Sequence, residues 1–201
     1  MLTIPSPRFF LRAPQKLMAV FVVTGSNQGI GYNTVKQILT LVPNSYIIMA
    51  CRSAKSAEKA IEKLAKTAAD KEGTRSRLKF IPLDLSSYDS IHEFANKLGE
   101  EEITIDVLIL NAGMMSSTKS RTVNGNEMVM GVNHLGGFLL THMLMPFFDT
   151  VSESKCEIER DVRLVVVTSS THWLVGEEGL SIDDLNCEDR KYGLFSQYAQ
   201  R

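Results

Sequence analysis

Three glycines, at positions 25, 29 and 31, follow a short apolar run, and the stretch from Val20 to Gly31 reads VFVVTGSNQGIG. A short apolar run that ends in a glycine-rich loop predicts a buried parallel strand that turns sharply into a helix. Gly25 permits the tight turn, Gly29 lets backbone approach a pyrophosphate, and Gly31 lets the helix pack against the sheet. Because a helix N-terminus attracts anions, this stretch predicts a dinucleotide site built from Thr24, Gly25, Ser26, Asn27, Gln28, Gly29, Ile30 and Gly31.

A glycine-rich loop of this kind can also be only a structural turn, so its spacing has to be compared with other phosphate loops. A Walker loop carries Lys and then Ser or Thr after its last glycine. Here Gly31 is followed by Tyr32 and Asn33. The loop therefore does not indicate a nucleoside triphosphate.

The residues after the second predicted strand, SYIIMA, indicate which dinucleotide is bound. About twenty positions after Gly31, a site for NAD carries an acidic residue that binds the ribose 2′-hydroxyl. Cys51 and Arg52 stand there instead, and a guanidinium group pairs well with a 2′-phosphate. Arg52 therefore predicts NADP, the alternative being an ordinary surface arginine. Asp84, after the third predicted strand, can accept from the adenine amino group, although an Asp beside Ser86 is also an ordinary helix-start residue.

The elements that position these residues alternate regularly between apolar runs and helical patterns. Almost entirely apolar strands that alternate with helices predict a parallel sheet covered on both faces, the α/β class with a doubly wound sheet. In such a sheet the ligand lies outside the carboxyl ends of the strands. The predicted elements after the glycine loop are a helix over YNTVKQILTLV, the strand SYIIMA, a helix over 53–72 ended by Gly73, the strand LKFIPL, a helix from Ser87 to Leu98 capped by Ser86 or Ser87, a strand from Ile105 to Leu110, a helix from Gly125 to Phe148, and a strand from Val162 to Thr168.

Composition predicts one globular domain, because 201 residues with 44% hydrophobic and 22% charged residues can bury a substantial core. Residues 1–15 are basic and interrupted by prolines, and we expect a disordered or organelle-targeting lead-in before a dinucleotide-binding domain over residues 16–201. The net charge of −1 gives no reason to expect nucleic acid. No apolar run approaches the roughly 20 residues of a membrane span, so none is expected.

The cysteines and histidines suggest neither disulfides nor a metal. Three cysteines, at positions 51, 156 and 187, show no Cys-x-x-Cys pairing, which is typical of reduced thiols inside the cell. The four histidines have no metal-ligand spacing with one another or with the cysteines. We therefore expect no metal and a cytoplasmic location, with organelle targeting by the basic N-terminus as the alternative.

Five motifs resemble, in order, those of the short-chain dehydrogenase/reductase family. They are TGSNQGIG, Leu83-Asp84-Leu85, Asn111-Ala112-Gly113, Val132-Asn133-His134-Leu135-Gly136 and Val167-Thr168-Ser169-Ser170. The segments MACRS, LNAGMM, NHLGGFLLTHML and DDLN look closest to the retinol-dehydrogenase-like branch, which acts on retinoids and other lipophilic carbonyls with NADP(H). That branch is expected to carry His where Gly137 stands.

The resemblance implies a Rossmann fold and hydride transfer between a nicotinamide and a carbonyl or alcohol carbon. It implies that Tyr198 exchanges the proton of the substrate oxygen, that Ser170 hydrogen-bonds that oxygen, and that Asn133 holds a water-mediated proton path. It adds Leu85, Asn111, Ala112 and Gly113 to the cofactor site. The implied partner is a small, lipophilic carbonyl or alcohol. His172 and Trp173, just past Ser170, are further candidates for substrate contact.

The family also carries a Lys four residues after its catalytic Tyr, where it lowers the proton affinity of the phenol. In this sequence only Ala199, Gln200 and Arg201 follow Tyr198. We therefore expect a C-terminally truncated sheet whose last strand is an exposed apolar edge, weak or no turnover, and a homodimer only in a longer chain. The alternative is a non-catalytic product that binds nucleotide or a partner.

Overall fold

Five parallel strands form one sheet in the computed structural model, which describes residues 18–148, 162–175 and 179–200. The lead-in predicted over residues 1–15 lies outside the described residues. The strands are β1 (Ala19–Thr24), β2 (Ser45–Cys51), β3 (Leu78–Pro82), β4 (Val107–Leu110) and β5 (Arg163–Val166). Their order is β3-β2-β1-β4-β5, and every pairing is parallel. The predicted α/β class with a doubly wound sheet is confirmed.

Helices connect the strands and cover both faces of the sheet. A π-helical segment (Gly131–Leu135) joins α5 and α6 into one continuous helical stretch, and short 3-10 turns follow at Met145–Phe147, Ser170–Val175 and Ile182–Asp184. The α-helices are α1 (Gly29–Leu41), α2 (Ala54–Thr67), α3 (Lys71–Ser76), α4 (Tyr88–Glu100), α5 (Met128–Met130), α6 (Gly136–Leu144) and α7 (Leu194–Ala199).

Alternation along the strands divides the core into two layers. Since successive strand residues point to opposite faces, Val22 packs with α4 and α6 while Val23 packs with α1 and α2. The first layer includes Ile48, Phe94, Leu98, Leu108, Leu140 and Leu144, and the second includes Val35, Ile47, Met49, Ile61 and Leu64. These apolar layers fix the register of the sheet and thereby the positions of the loops at the carboxyl ends of its strands.

The helix predicted over 53–72 is in fact two helices, and Gly73 does not end it. The Asp70 side chain accepts a hydrogen bond of 2.9 Å from the Gly73 N–H and begins α3. A Cβ at Gly73 would collide with the Asp70 carboxylate, so glycine is required by the cap and not by a helix end. For α4 the prediction was right, because Ser87 accepts from the Ser90 N–H at 3.2 Å.

The helical stretch Met128–Phe147 satisfies, by length and composition alone, the criteria for a membrane span, with a mean hydropathy of 1.2. Leu140 and Leu144 of this stretch are fully buried against the sheet. Its place in a packed core accounts equally well for the apolar composition. The absence of a membrane span stays a prediction.

Strand β5 forms one edge of the sheet and is exposed on both faces within the described residues. Leu164, Val165 and Val166 are 48%, 39% and 58% exposed. These values agree with the apolar edge that the sequence predicts.

Candidate active site

The glycine loop between β1 and α1 is shaped to receive a phosphate group. Gly25 has φ +64°, and a Cβ there would lie 2.9 Å from the Ala112 Cα. A Cβ at Gly31 would lie 2.6 Å from the Gly25 carbonyl oxygen. Gly29, with φ +58°, has no described atom within 4 Å of the place where a Cβ would be. Close packing at two glycines and open space over the third fit a pyrophosphate that approaches the backbone at Gly29.

The start of α1 supplies the donors for such an anion. The first N–H groups of a helix have no partner within it, and the side chain of Gln28, the residue before α1, makes no capping hydrogen bond. Gln28 and Ile30 are exposed and Asn27 is half-buried. This part of the predicted site is accessible to a ligand.

Two residues of the predicted site, Thr24 at the end of β1 and Ser26 in the loop, are instead buried. Thr24 is 1% exposed and Ser26 is fully buried. The Thr24 hydroxyl accepts from the N–H groups of Asn111 and Ala112, at 3.0 and 2.9 Å, and the Asn111 amide donates to the Thr24 carbonyl at 2.9 Å. These contacts join the ends of β1 and β4, so Thr24 and Asn111 position the loop.

The end of β2 presents a free cation beside this loop. Cys51 ends the strand and is buried, with its sulfur 3.4 Å from the Ser26 hydroxyl, and burial raises the pKa of its thiol. Arg52 follows on the surface and makes no hydrogen bond or ion pair with any described residue. The guanidinium group is therefore available to a phosphate.

After β3, the motif Leu83-Asp84-Leu85 divides between the core and the surface. Leu85 is 6% exposed and packs in the core, and a Cβ on Gly136 would collide with the Leu85 carbonyl. The half-buried Asp84 carboxylate accepts from the Ser86 N–H at 2.9 Å and the Ser86 hydroxyl at 2.7 Å. The structure thus assigns Asp84 a turn-forming role before α4. Its contact with an adenine stays a prediction.

Asn133 lies in the π-helical segment, a geometry that occurs frequently at functional sites. Its side-chain oxygen accepts from the Met114 N–H at 2.8 Å, and its amide donates to the Met114 carbonyl at 2.9 Å. A Cβ at Gly113 would lie 3.5 Å from the same oxygen. In this structure the Asn133 side chain therefore holds the loop after β4, and its predicted part in a proton path stays a prediction.

Ser170 and Tyr198 lie on neighbouring elements. Ser170 begins the 3-10 turn Ser170–Val175, and this turn packs against α7, which carries Tyr198. Ser170 is exposed and Tyr198 is half-buried. Neither hydroxyl makes a hydrogen bond with another residue in the described ranges. Both groups can therefore bind a substrate oxygen.

The surface beside Ser170 is apolar. Trp173 and Leu174 are 81% and 63% exposed. The His172 ring packs edge-on against Trp173 with centroids 6.0 Å apart, and its Nδ1 lies 2.6 Å from the Ser169 carbonyl oxygen. Exposed apolar side chains next to a free hydroxyl suit a lipophilic substrate.

Glu127 and Tyr192 belong to this region although neither was predicted to matter. The sequence makes Tyr192 a weaker match than Tyr198 to the catalytic tyrosine, because Ser196 stands four residues after it. Its hydroxyl donates to the Glu127 carboxylate at 3.0 Å. The one sequence signal for Glu127 is a carboxylate just before an apolar helix, where it caps the N-terminus.

Arg201 lies outside the described residues.

Comparison with known proteins agrees with this geometry. The family model described as short chain dehydrogenase matches residues 19–181. Human retinol dehydrogenase 13 is 37% identical over 179 residues, which are 89% of this chain and 49% of that protein. Human polyprenol dehydrogenase is 34% identical over 93% of this chain and 52% of its own length. The chain thus spans about half the length of these relatives.

Solved structures show the same fold. The crystal structure of an uncharacterized protein from Mycobacterium Paratuberculosis superposes with a TM-score of 0.69 at 32% identity. The superposition covers 93% of this chain and 58% of that one.

Proposed function

Because the chain belongs to the short-chain dehydrogenase family, we propose that its protein transfers a hydride between NADP(H) and a carbonyl or alcohol carbon of a lipophilic substrate. The observation that carries this proposal is the pair of free hydroxyls, on Ser170 and Tyr198, on packed elements that follow β5. Membership in an oxidoreductase family supports the reaction type.

The cofactor site would be formed by three parts of the chain. Gly29 and the N-terminus of α1 would receive the pyrophosphate, and the Arg52 guanidinium would pair with the 2′-phosphate. The polar residues after β3 would face the adenine. A bound nicotinamide would supply or accept the hydride.

Two hydroxyl groups of this chain would handle the substrate oxygen and its proton. During carbonyl reduction the Ser170 hydroxyl donates a hydrogen bond to the carbonyl oxygen and orients it. Tyr198 gives its phenolic proton to that oxygen as the carbon receives the hydride, and in alcohol oxidation it takes the proton back. Free tyrosine ionises near pH 10, so the reaction is slow unless a cation stabilises the phenolate.

The 201 residues hold no lysine four positions after Tyr198. The exposed Gly29 and Arg52 support a second candidate function, a chain that binds NADP(H) without catalysis. In that case NADPH raises the melting temperature but no turnover is measured.

The apolar surface formed by Trp173 and Leu174 supports a lipophilic substrate, as do relatives named for retinol and polyprenol. We expect a higher kcat/KM for a long-chain aldehyde than for a short polar one. A cytoplasmic location, and a homodimer in a longer chain, remain part of this proposal.

The test is carbonyl reduction by the purified chain, followed by the absorbance of NADPH. Tyr198→Phe should abolish turnover and leave NADPH binding unchanged, since the phenyl ring keeps the packing of α7. Tyr46→Phe, on β2 and remote from both hydroxyls, is the matched control and should retain wild-type turnover. Equal turnover by wild type and Tyr198→Phe would contradict the proposed role of Tyr198.

A further inference from the structure

Glu127 is a fully buried carboxylate, and the structure gives it several hydrogen-bond donors. Its Oε1 accepts from the Val129 N–H at 2.9 Å and its Oε2 from the Met130 N–H at 2.8 Å, so the side chain caps α5. The Tyr192 hydroxyl donates to Oε1 at 3.0 Å. A buried polar group of this kind is tolerated only when it is hydrogen-bonded, and these donors come from two distant parts of the chain.

A second contact joins the same two parts. The Glu127 N–H donates to the Asn186 side-chain oxygen at 2.8 Å. The side chain of Glu127 therefore contacts Tyr192 while its backbone contacts Asn186, and segment 186–192 is held at the start of the helical stretch that begins with α5.

Exposed ion pairs surround this buried contact. Lys119 pairs with Glu188 at 2.8 Å and Arg121 also pairs with Glu188, and all three side chains are at least one-third exposed. Exposed pairs contribute little because water and salt screen them. The Lys119 ammonium also donates to the Cys187 carbonyl at 2.7 Å, so the segment is attached by this bond together with the buried hydrogen bonds of Glu127.

From segment 186–192 the contacts continue to the tyrosine helix. The Gln197 amide, 1% exposed, donates to the Cys187 sulfur at 2.8 Å. The Gln200 side chain accepts from the Ser181 N–H at 3.3 Å. Gln197 directly precedes Tyr198, so its bond to Cys187 links this helix to the segment that Glu127 holds, whereas Gln200 bonds to Ser181 outside that segment.

In the other direction, Glu127 precedes Asn133 by six residues on one continuous helical stretch. We propose that the buried Glu127–Tyr192 hydrogen bond is a positioning contact that holds the Tyr198 helix in register with the helix of Asn133. This inference rests on the proposed function, because it assigns the contact a purpose in proton transfer. In this proposal Glu127 and Tyr192 are positioning residues that act through the helices of Asn133 and Tyr198.

The test removes one hydroxyl. Tyr192→Phe deletes the donor to Glu127 and keeps the ring. Tyr88→Phe is the control, since the Tyr88 hydroxyl accepts from Asn126 at 2.7 Å near the same helix start and makes no hydrogen bond with the described residues 179–200. The purified chain is studied by amide hydrogen exchange of α7 and by NADPH-dependent reduction of a long-chain aldehyde. Glu127→Ala is unsuitable as a test, because it removes the cap of α5 and leaves buried N–H groups without an acceptor, which can prevent folding.

We expect Tyr192→Phe to speed amide exchange in α7 about tenfold, the equivalent of one lost hydrogen bond. It should lower kcat about tenfold with an unchanged KM for NADPH, and Tyr88→Phe should change none of the three. Unchanged exchange in α7, equal changes in both variants, or faster exchange with an unchanged kcat would each overturn the inference. If the wild-type chain shows no turnover, the proposed activity of this chain fails, and the exchange of α7 alone decides whether the contact holds the helix.

Discussion

Thr24 and Asn111 join the carboxyl ends of β1 and β4 through two hydrogen bonds, both donated by Asn111. The Thr24 hydroxyl accepts from the Asn111 N–H at 3.0 Å, and the Asn111 side-chain amide donates to the Thr24 carbonyl at 2.9 Å. The same amide also contacts the Gly25 carbonyl at 3.3 Å. The conformation of the glycine loop therefore depends on a residue 87 positions away in sequence.

Thr24→Val tests this relationship, because valine has the shape of threonine but cannot accept a hydrogen bond. The part-buried Ala112 N–H would lose its acceptor, and the Asn111 N–H would keep only the Ile109 carbonyl at 3.1 Å, so we expect a loss of about 2 kcal/mol in the free energy of unfolding. Urea denaturation measures it. Thr40→Val is the control, since the Thr40 hydroxyl is exposed and bonds only within α1. Equal midpoints for Thr24→Val and wild type would show that the network does not stabilise the loop.

Arg52→Ala should reduce the affinity for NADPH and leave that for NADH unchanged. A charge-assisted hydrogen bond to a phosphate contributes about 2 kcal/mol, so the Kd for NADPH should rise by roughly thirtyfold. Cofactor fluorescence measures both constants. Lys59→Ala removes an equal charge from the exposed side of α2 and should leave the ratio of the two constants unchanged. A ratio unaffected by Arg52→Ala would identify Arg52 as an ordinary surface arginine.

Arg77→Met should destabilise the fold, because this side chain binds the C-terminal end of α1. Its guanidinium donates to the carbonyls of Val42 at 2.7 Å, Ser45 at 3.0 Å and Leu39 at 3.3 Å. Burial lowers the pKa of Arg77, but the group stays charged at neutral pH. We expect a loss of about 3 kcal/mol, measured by urea denaturation.

The control for that variant is Arg75→Met. Arg75 makes an exposed ion pair with Glu58, and exposed pairs contribute less than about 1 kcal/mol. A similar loss of unfolding free energy in both variants would mean that the carbonyl contacts of Arg77 do not stabilise the C-terminal end of α1.

Glu101 makes the stability of the fold depend on acid. Its hydrogen bond with Lys79 is the main cause that holds the pKa of Glu101 below its ordinary value. A carboxyl whose pKa is lower in the folded state stabilises the fold above the unfolded pKa, about 4.3, and loses that contribution as the pH falls through the folded pKa. Between about pH 5 and pH 3, the melting temperature of Glu101→Gln should therefore fall less than that of wild type.

For Glu101→Gln the matched control is Glu100→Gln. The Glu100 side chain is 68% exposed and lies 3.4 Å from Lys97. The melting temperature of Glu100→Gln should depend on pH in the same way as that of wild type. Parallel curves for wild type and Glu101→Gln would exclude Glu101 as a source of the acid sensitivity.

Local patterns predicted most of the fold. The spacing of apolar residues predicted the order of strands and helices. Each element buries one face, so its apolar residues recur with the period of a helix or of a strand. The break in the helix over 53–72 was not predicted. It depends on the Asp70 cap that accepts from the Gly73 N–H, and a single polar residue of this kind does not change the apolar periodicity. Predicting that Ser87 begins α4 succeeded because the same kind of cap there precedes a strongly periodic apolar run.

The sequence by itself determined the α/β class, the glycine loop and the family, since these depend on residue types at short, fixed spacings, while the roles of Ser170 and Tyr198 stay predictions. Only the tertiary structure decided which site residues are accessible. It buried the side chains of Thr24 and Ser26, turned the Asn133 amide to Met114, and brought Glu127 to Tyr192 across 65 positions. The physical reason is that buried hydrogen bonds join groups distant in sequence, and their pairing follows from how the layers pack and not from any local pattern.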